Sequence, residues 1–247
     1  GRWPAPEAAR AHAEAMIAAG ADWIDVGGES SRPGAAPVGL DEELRRVLPA
    51  IEALAGIGAP ISVDTYRAET ARRALALGAR MINDISALRM DPAMAEVVAS
   101  AGCQCVLMHM LGTPATMQHA PVYRDVVDDI CAFFEERLEA ARAAGIREEC
   151  LWLDPGFGFG KTAAHNLELL RRLGEFKRFG LPVLIGVSNK ATIGAVLDAP
   201  VDDRLEGTAA AVALGIAHGA DCVRVHDVRA MARVARMTDA ILQGGMS

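Results

Sequence analysis

Carboxylates, amides and cations recur along this chain at one kind of place, directly after a short apolar run. In order they are Asp25 with Glu29, Ser30, Ser31 and Arg32; Asp64 and Thr65; Asn83 and Asp84; His109; Asp154; Ser188, Asn189 and Lys190; and Arg224, His226 and Asp227. A single Asp in such a place is most simply a helix cap or a turn residue. A succession of them makes a different case. Polar groups gathered on an apolar scaffold must satisfy one another or a ligand. Two chemistries are mixed here. Asp64, Asn83 and Asp154 are acceptors that suit a flat ligand rich in N–H donors. Arg32, Lys190, Arg224 and His226 suit an anion such as phosphate. One small molecule with a donor-rich ring and a phosphate tail would meet both sets.

The stretch LDPGFGFGK, residues 153–161, concentrates the problem. A buried-looking run stops on the Asp154 carboxylate, and a glycine-rich loop comes next. Glycines there let the backbone pass close to a ligand. The loop is not a Walker phosphate loop, because Gly156 and Gly160 are four apart where that motif needs five. Lys161 beyond the glycines reads at least as well as a solvated lysine as it does as a contact residue.

The elements that must position these groups alternate. Strand-like apolar runs fall at 23–28, 61–65, 81–86, 104–110, 151–156, 182–188 and 222–228. Helical spacing of Ala, Leu, Glu and Arg falls at 7–19, 42–54, 68–77, 92–101, 126–144, 166–172, 203–218 and 228–243. Such repeats imply parallel strands with helical crossovers. Seven strands and about eight helices, with a helix first, predict an α/β fold of the (β/α)8 barrel type. On this reading the first β-strand and its loop are absent from the chain, and residues 1–247 form one barrel domain. An open doubly wound sheet is the alternative, but DVGGESSRPG lacks its glycine spacing. In a barrel the carboxyl ends of the strands form the mouth where chemistry occurs, which is where the polar groups lie.

Composition excludes several classes. Net charge is −7 with no basic runs, which argues against nucleic acid as a partner. The longest apolar stretches, around 208–217, are too short to cross a bilayer, and no signal peptide is visible. Five cysteines, an odd number without a CxxC, read as buried free thiols in a reducing cytosol. The Cys103–Cys105 pair would share one strand face, but no second cluster accompanies it as a metal site would require.

Six blocks, in order, resemble dihydropteroate synthases: DVGGESSRPGA (25–35), SVDTYRAETARRALALGARMINDIS (62–86), MHMLGTPATMQ (108–118), LDPGFGFGKTAAHNLELL (153–170), GVSNKATIG (186–194) and RVHDV (224–228). The VDT, ND and DPG elements are shared by the wider pterin-binding barrels; ESSRPG and RVHDV point to the synthase. The resemblance implies a cytoplasmic transferase of folate biosynthesis. It joins 6-hydroxymethyl-7,8-dihydropterin pyrophosphate to p-aminobenzoate, giving 7,8-dihydropteroate and pyrophosphate.

It also implies roles. Asp64, Asn83, Met108, Asp154, Phe159 and Lys190 would bind the pterin, although Met108 serves equally well as plain core packing. Arg32, Asn83, Arg224 and His226 would bind the pyrophosphate; Ser31, Arg32, Pro33 and Ser188 would line the p-aminobenzoate site. Asp64, Asp154, Lys190, Arg224 and His226 would carry the catalysis. Magnesium is the expected cofactor and a homodimer through the late helices the expected assembly. The metal ligands of this chain are unknown, because the family's metal-binding asparagine belongs to the segment before Gly1-Arg2-Trp3. Asn189 stands where the family usually has Arg, and Ser31 where it usually has Thr. Two other readings stay open at this point. One is a methyltetrahydrofolate-binding methyltransferase barrel; the other is a non-catalytic, truncated pterin-binding homologue.

Overall fold

A computed structural model describes residues 5–30, 35–114, 116–117 and 120–244. These residues fall into two compact units, 1–108 with 135–152 and 109–134 with 153–247.

The first unit alternates strictly. It holds α1 (Pro6–Ala18), β1 (Ile24–Gly27), α2 (Leu40–Ala53), β2 (Ile61–Asp64), α3 (Ala68–Ala76), β3 (Met81–Asp84), α4 (Met94–Ala101) and β4 (Gln104–Met108). The last turns of α5 (Val126–Ala143) and the first residues of β5 (Leu151–Asp154) also belong to it. Its strands lie in sequence order and pair in parallel, Ile24 opposite Ile61, Asp64 opposite Asn83 and Asp84 opposite Leu107. Val63, Ile82, Val106 and Leu107 on the strands and Val47 and Ile51 on α2 are fully buried. Val47 and Ile51 lie one helical turn apart, so they share the face that α2 turns inward. Each such side chain contributes about 1.5–3 kcal/mol on burial. Gly28 lets α2 approach: a Cβ there would lie 2.8 Å from Val47 and 2.9 Å from Glu43.

The second unit carries the first turns of α5, the end of β5, α6 (Ala163–Arg171), β6 (Leu184–Ile185), α7 (Ala191–Leu197), α8 (Leu205–Ala217), β7 (Cys222–Val223) and α9 (Val228–Gln243). Leu153 bridges Val183 in parallel, and β6 pairs β7 in parallel with Leu184 opposite Cys222. Its core is more aromatic: Phe134 meets the edge of Phe176 at 5.8 Å, among Leu153, Leu169, Leu173 and Val183.

All seven expected strands and the eight expected helical segments are present, with two corrections. The late strands are shorter than their apolar runs: 182–188 is regular only over Leu184–Ile185, and 222–228 only over Cys222–Val223. Residues beyond them keep single ladder bonds, such as Arg224 N–H to the Ile185 carbonyl at 2.8 Å, and then turn into loops. The segment ATIGAVL forms a helix, α7, that periodicity does not predict, being short and rich in weak helix formers. Buried Ile193 and the Arg204 guanidinium packed at Gly194 hold it, so tertiary contacts override propensity.

Candidate active site

In the first unit the acceptors sit side by side. Asp64 closes β2 and Asn83 faces it across the ladder on β3. Asn83 is buried, and among the described residues its Oδ1 has no hydrogen-bond partner. An unpaired buried carbonyl of this kind costs about 1–3 kcal/mol unless a donor arrives. Gly27 lies opposite Asp64 on β1, where a Cβ would come within 3.3 Å of the Asp64 Cβ. Met108 is buried at the end of β4.

Their sequence neighbours do other work. Asp84 is spent on the turn after β3, accepting from Ser86 N–H, Ser86 Oγ and Leu88 N–H at 2.7–2.8 Å. Thr65 Oγ1 donates to Glu43 at 2.8 Å and accepts from the Arg67 N–H at 3.1 Å. For these residues the turn reading is the right one. Ser31, Arg32 and Pro33 lie outside the described residues.

In the second unit Asp154 closes β5. It is buried and accepts the Gly156 N–H at 2.7 Å, while its carbonyl accepts the His109 N–H at 2.8 Å. Burial pushes its carboxyl up to about 6, against the Gly156 hydrogen bond and the pull of Lys190, Lys161 and Arg224.

Phe159 is buried in the loop after β5, and Lys190 Nζ lies 4.3 Å over its ring. Gly158 makes room for that lysine, since a Cβ there would meet Lys190 Cδ at 3.2 Å. Ser188 is buried, its Oγ 3.0 Å from His226 Nδ1 and accepting the His226 N–H at 3.2 Å. Arg224 and His226 themselves are exposed, as an anion site needs. Asp227 caps α9 through the Ala230 N–H at 3.1 Å. Asn189 takes a left-handed conformation at φ 56°, which Asn tolerates, and is tied to Thr208 and Arg204.

Sequence reasoning left Lys161 open between solvent and a contact, and the structure decides for the contact. The lysine is 3% exposed, not solvated. Its Nζ donates to the carbonyls of Gly156 at 2.9 Å and Phe159 at 3.0 Å, and lies 2.9 Å from His109 Nδ1. The cause is the backbone. Gly156, Gly158 and Gly160 all have positive φ, at 70°, 85° and 65°, and the loop so formed turns carbonyls inward onto the lysine. At Gly156 a Cβ would overlap the His109 carbonyl oxygen, so only glycine fits. Tyr123 holds a third carbonyl of the same loop, that of Gly160, at 2.8 Å. Three alternating glycines after a strand-ending Asp were the available signal that the next side chain would be drawn inward.

Among the described residues no group of three or more His, Cys, Asp or Glu stands together as a metal site. All five cysteines are free and four of them are buried. No helix among the described residues is long and apolar enough to cross a membrane.

The model of the family described as "Pterin binding enzyme" matches residues 1–226. A dihydropteroate synthase of Synechocystis sp. is 47% identical over 231 residues, which is 93% of this chain and 80% of that protein. The solved dihydropteroate synthase of Yersinia pestis, in a sulfonamide drug complex, superposes with a TM-score of 0.94 at 43% identity, covering 97% of this chain and 87% of that one. That of Xanthomonas albilineans, with 4-aminobenzoic acid, gives a TM-score of 0.90 at 44% identity, covering 96% and 85%. The fold class predicted from strand–helix alternation, the α/β barrel, stands with these likenesses. On the family model, the identity and the shared fold, the chain belongs to the pterin-binding enzymes and, within them, to the dihydropteroate synthases.

Proposed function

We propose that this chain, acting as one barrel domain over residues 1–247, condenses a dihydropterin pyrophosphate with p-aminobenzoate to give dihydropteroate and pyrophosphate. The observation that carries the reading is the buried Oδ1 of Asn83, without a hydrogen-bond partner among the described residues and set across the ladder from Asp64. A pterin's ring nitrogens and amino group are the donors such an edge lacks. Asp154 supplies a second acceptor to the pterin, Lys190 a cation, and Met108 and Phe159 apolar contact with the ring. Arg224, His226 and Arg32, with Asn83, take the pyrophosphate; Ser31, Arg32, Pro33 and Ser188 take p-aminobenzoate.

These charges account for the chemistry. The bond from the pterin's methylene carbon to the pyrophosphate oxygen breaks, and its electron pair leaves with the pyrophosphate. Arg224 and His226 stabilise the charge that builds there, and fixed cations act most strongly where charge develops. Asp64, Asp154 and Asn83 hold the pterin fragment as it becomes electron-poor. The aryl amine forms the new C–N bond and releases one proton. That amine is uncharged at neutral pH, so it needs placement more than activation.

Magnesium is proposed as a companion of the pyrophosphate, supplying charge neutralisation to its oxygens. The described residues do not by themselves build a site for it, and no step of the condensation is routed through it. A cytoplasmic location fits a chain of free thiols. A homodimer fits the exposed Leu214 on α8 and Met237, Ile241 and Leu242 on α9; sedimentation at two concentrations would check it.

The deciding assay is release of pyrophosphate from the pterin substrate with and without p-aminobenzoate, across magnesium concentrations. Release that requires both substrates is the expected result. Binding of the pterin with no release under any metal condition would overturn the reading in favour of a non-catalytic protein.

A further inference from the structure

The buried ammonium behind the glycine loop has no part in the roles assigned to the substrate-binding residues. Every donor of a protonated Lys161 has a partner: the carbonyls of Gly156 and Phe159 and the ring nitrogen of His109. Two of the residues that hold it, Gly156 and His109, are also hydrogen-bonded to Asp154. Gly156 N–H is the hydrogen bond the Asp154 carboxylate accepts, and His109 N–H is the one its carbonyl accepts. Phe159 lies under Lys190. The His109 ring is itself fixed, edge-on to Phe133 at 4.9 Å and tilted against Tyr123 at 6.0 Å. Tyr123 ties down Gly160, and the Asn166 side chain accepts the Gly158 N–H at 2.8 Å. The loop after Asp154 is thus folded around one lysine, with side chains holding the remaining backbone groups.

We propose that Lys161 is a positioning residue for the pterin: it shapes the 156–160 loop so that the Asp154 carboxylate and the Phe159 ring stand ready, and it sets a positive charge on the carbonyl of Gly156, the residue whose N–H the Asp154 carboxylate accepts. The inference rests on the reading that Asp154 takes the pterin. The charged groups bearing on Asp154 within this unit are Lys190, Lys161 and Arg224, with His109 reached through Lys161. Lys190 and Arg224 have direct roles toward substrate; Lys161, being buried beneath the loop, acts through others.

Lys161→Met keeps the unbranched side chain as far as the lysine Cε and removes the charge and the donors. Dissociation of the dihydropterin pyrophosphate, the KM for p-aminobenzoate and the pH profile of kcat/KM are measured for it beside the parent and Asp154→Asn. The expected result is a rise of about tenfold in the pterin Kd, and an acid limb moved upward by about half to one pH unit, because a lost cation raises a carboxyl. The KM for p-aminobenzoate should stay near the parent value. A merely structural lysine would lower the yield of folded protein and leave the acid limb in place, which would overturn the proposal. Asp154→Asn separates the two levels. If it binds the pterin as the parent does, the site reading itself falls; if it loses the pterin while folded Lys161→Met does not, only the role of Lys161 falls. Should Lys161→Met fail to fold, His109→Gln, which alters one partner of the ammonium, is scored by the same acid limb with the same two outcomes.

Discussion

Two buried charge clusters, one in each unit, show what separates charges that hold a fold from charges kept for a ligand. In the first unit Glu43, 1% exposed on α2, accepts from Arg67 at 2.7 Å, Thr65 at 2.8 Å and Thr70 at 2.9 Å. Arg67 also pairs with Glu29 at 2.9 Å and donates to the Val38 carbonyl at 2.5 Å, while Glu29 accepts from Tyr66 and from the Val38 N–H. Anion and cation touch. Burial pulls the Arg67 guanidinium down, and its hydrogen bonds to Glu43 and Glu29 more than reverse that, leaving it above its ordinary value.

In the second unit, Asp154 and Lys161 are held mainly by backbone groups instead. The carboxyl accepts an N–H and the ammonium donates to two carbonyls. Burial drives both toward neutrality, Asp154 up to about 6 and Lys161 down to about 7. A closed ion pair has little left to offer a substrate. Charges satisfied by neutral dipoles keep an unspent field, and that is what a ligand can use.

The largest effect is expected at Asp154. Asp154→Ala should lower pyrophosphate release by about a thousandfold, while leaving a folded protein. An equal loss from a change in the other cluster would erase the distinction. Arg67→Ala is the matching test there. It leaves Glu43 buried without its cation and should cost about 3–5 kcal/mol of stability, read as a fall in melting temperature, with kcat of the folded fraction little changed.

A smaller effect lies in pH. The folded Asp154 carboxyl is above its unfolded value near 4, so the native state binds that proton more tightly and stability falls as pH rises from about 4 to about 6. The folded Lys161 is below its unfolded value, so stability rises with pH from about 7 to about 10. Between the two windows the unliganded protein should pass through a shallow minimum. Asp154→Asn should remove its acid-side slope, as followed by melting temperature against pH. The smallest effect is expected outside both clusters. Glu42 pairs with Arg45 and Arg46 on the solvent side of α2, and Glu42→Ala should leave both melting temperature and activity where they were.

Both clusters escaped a reading of the sequence for the same reason. Glu43 sits in LDEELRRV, a run that looks like a solvated helix face, and Lys161 comes after glycines as surface lysines often do. Neither residue type is expected inside a protein without a partner. The partners stand far off in sequence: Arg67 is 24 residues from Glu43, and His109 is 52 from Lys161. The strand-end residues were legible because their positions are dictated locally. Asp64, Asn83 and Asp154 each follow directly on an apolar run at the carboxyl end of a parallel strand, the end where such sheets carry their chemistry.

The order of strands and helices apart from α7, the barrel class and the polar groups at strand ends were thus determined by the sequence alone, because period and turn chemistry act between near neighbours. Which carboxylate would be neutralised by an arginine and which would be left poised, why Asp84 and Thr65 serve turns while Asn83 keeps an unpaired oxygen, and why a lysine after three glycines turns inward were decided only in the tertiary structure. Burial and long-range pairing set the energy of a charge, and neither is defined until the chain has closed on itself.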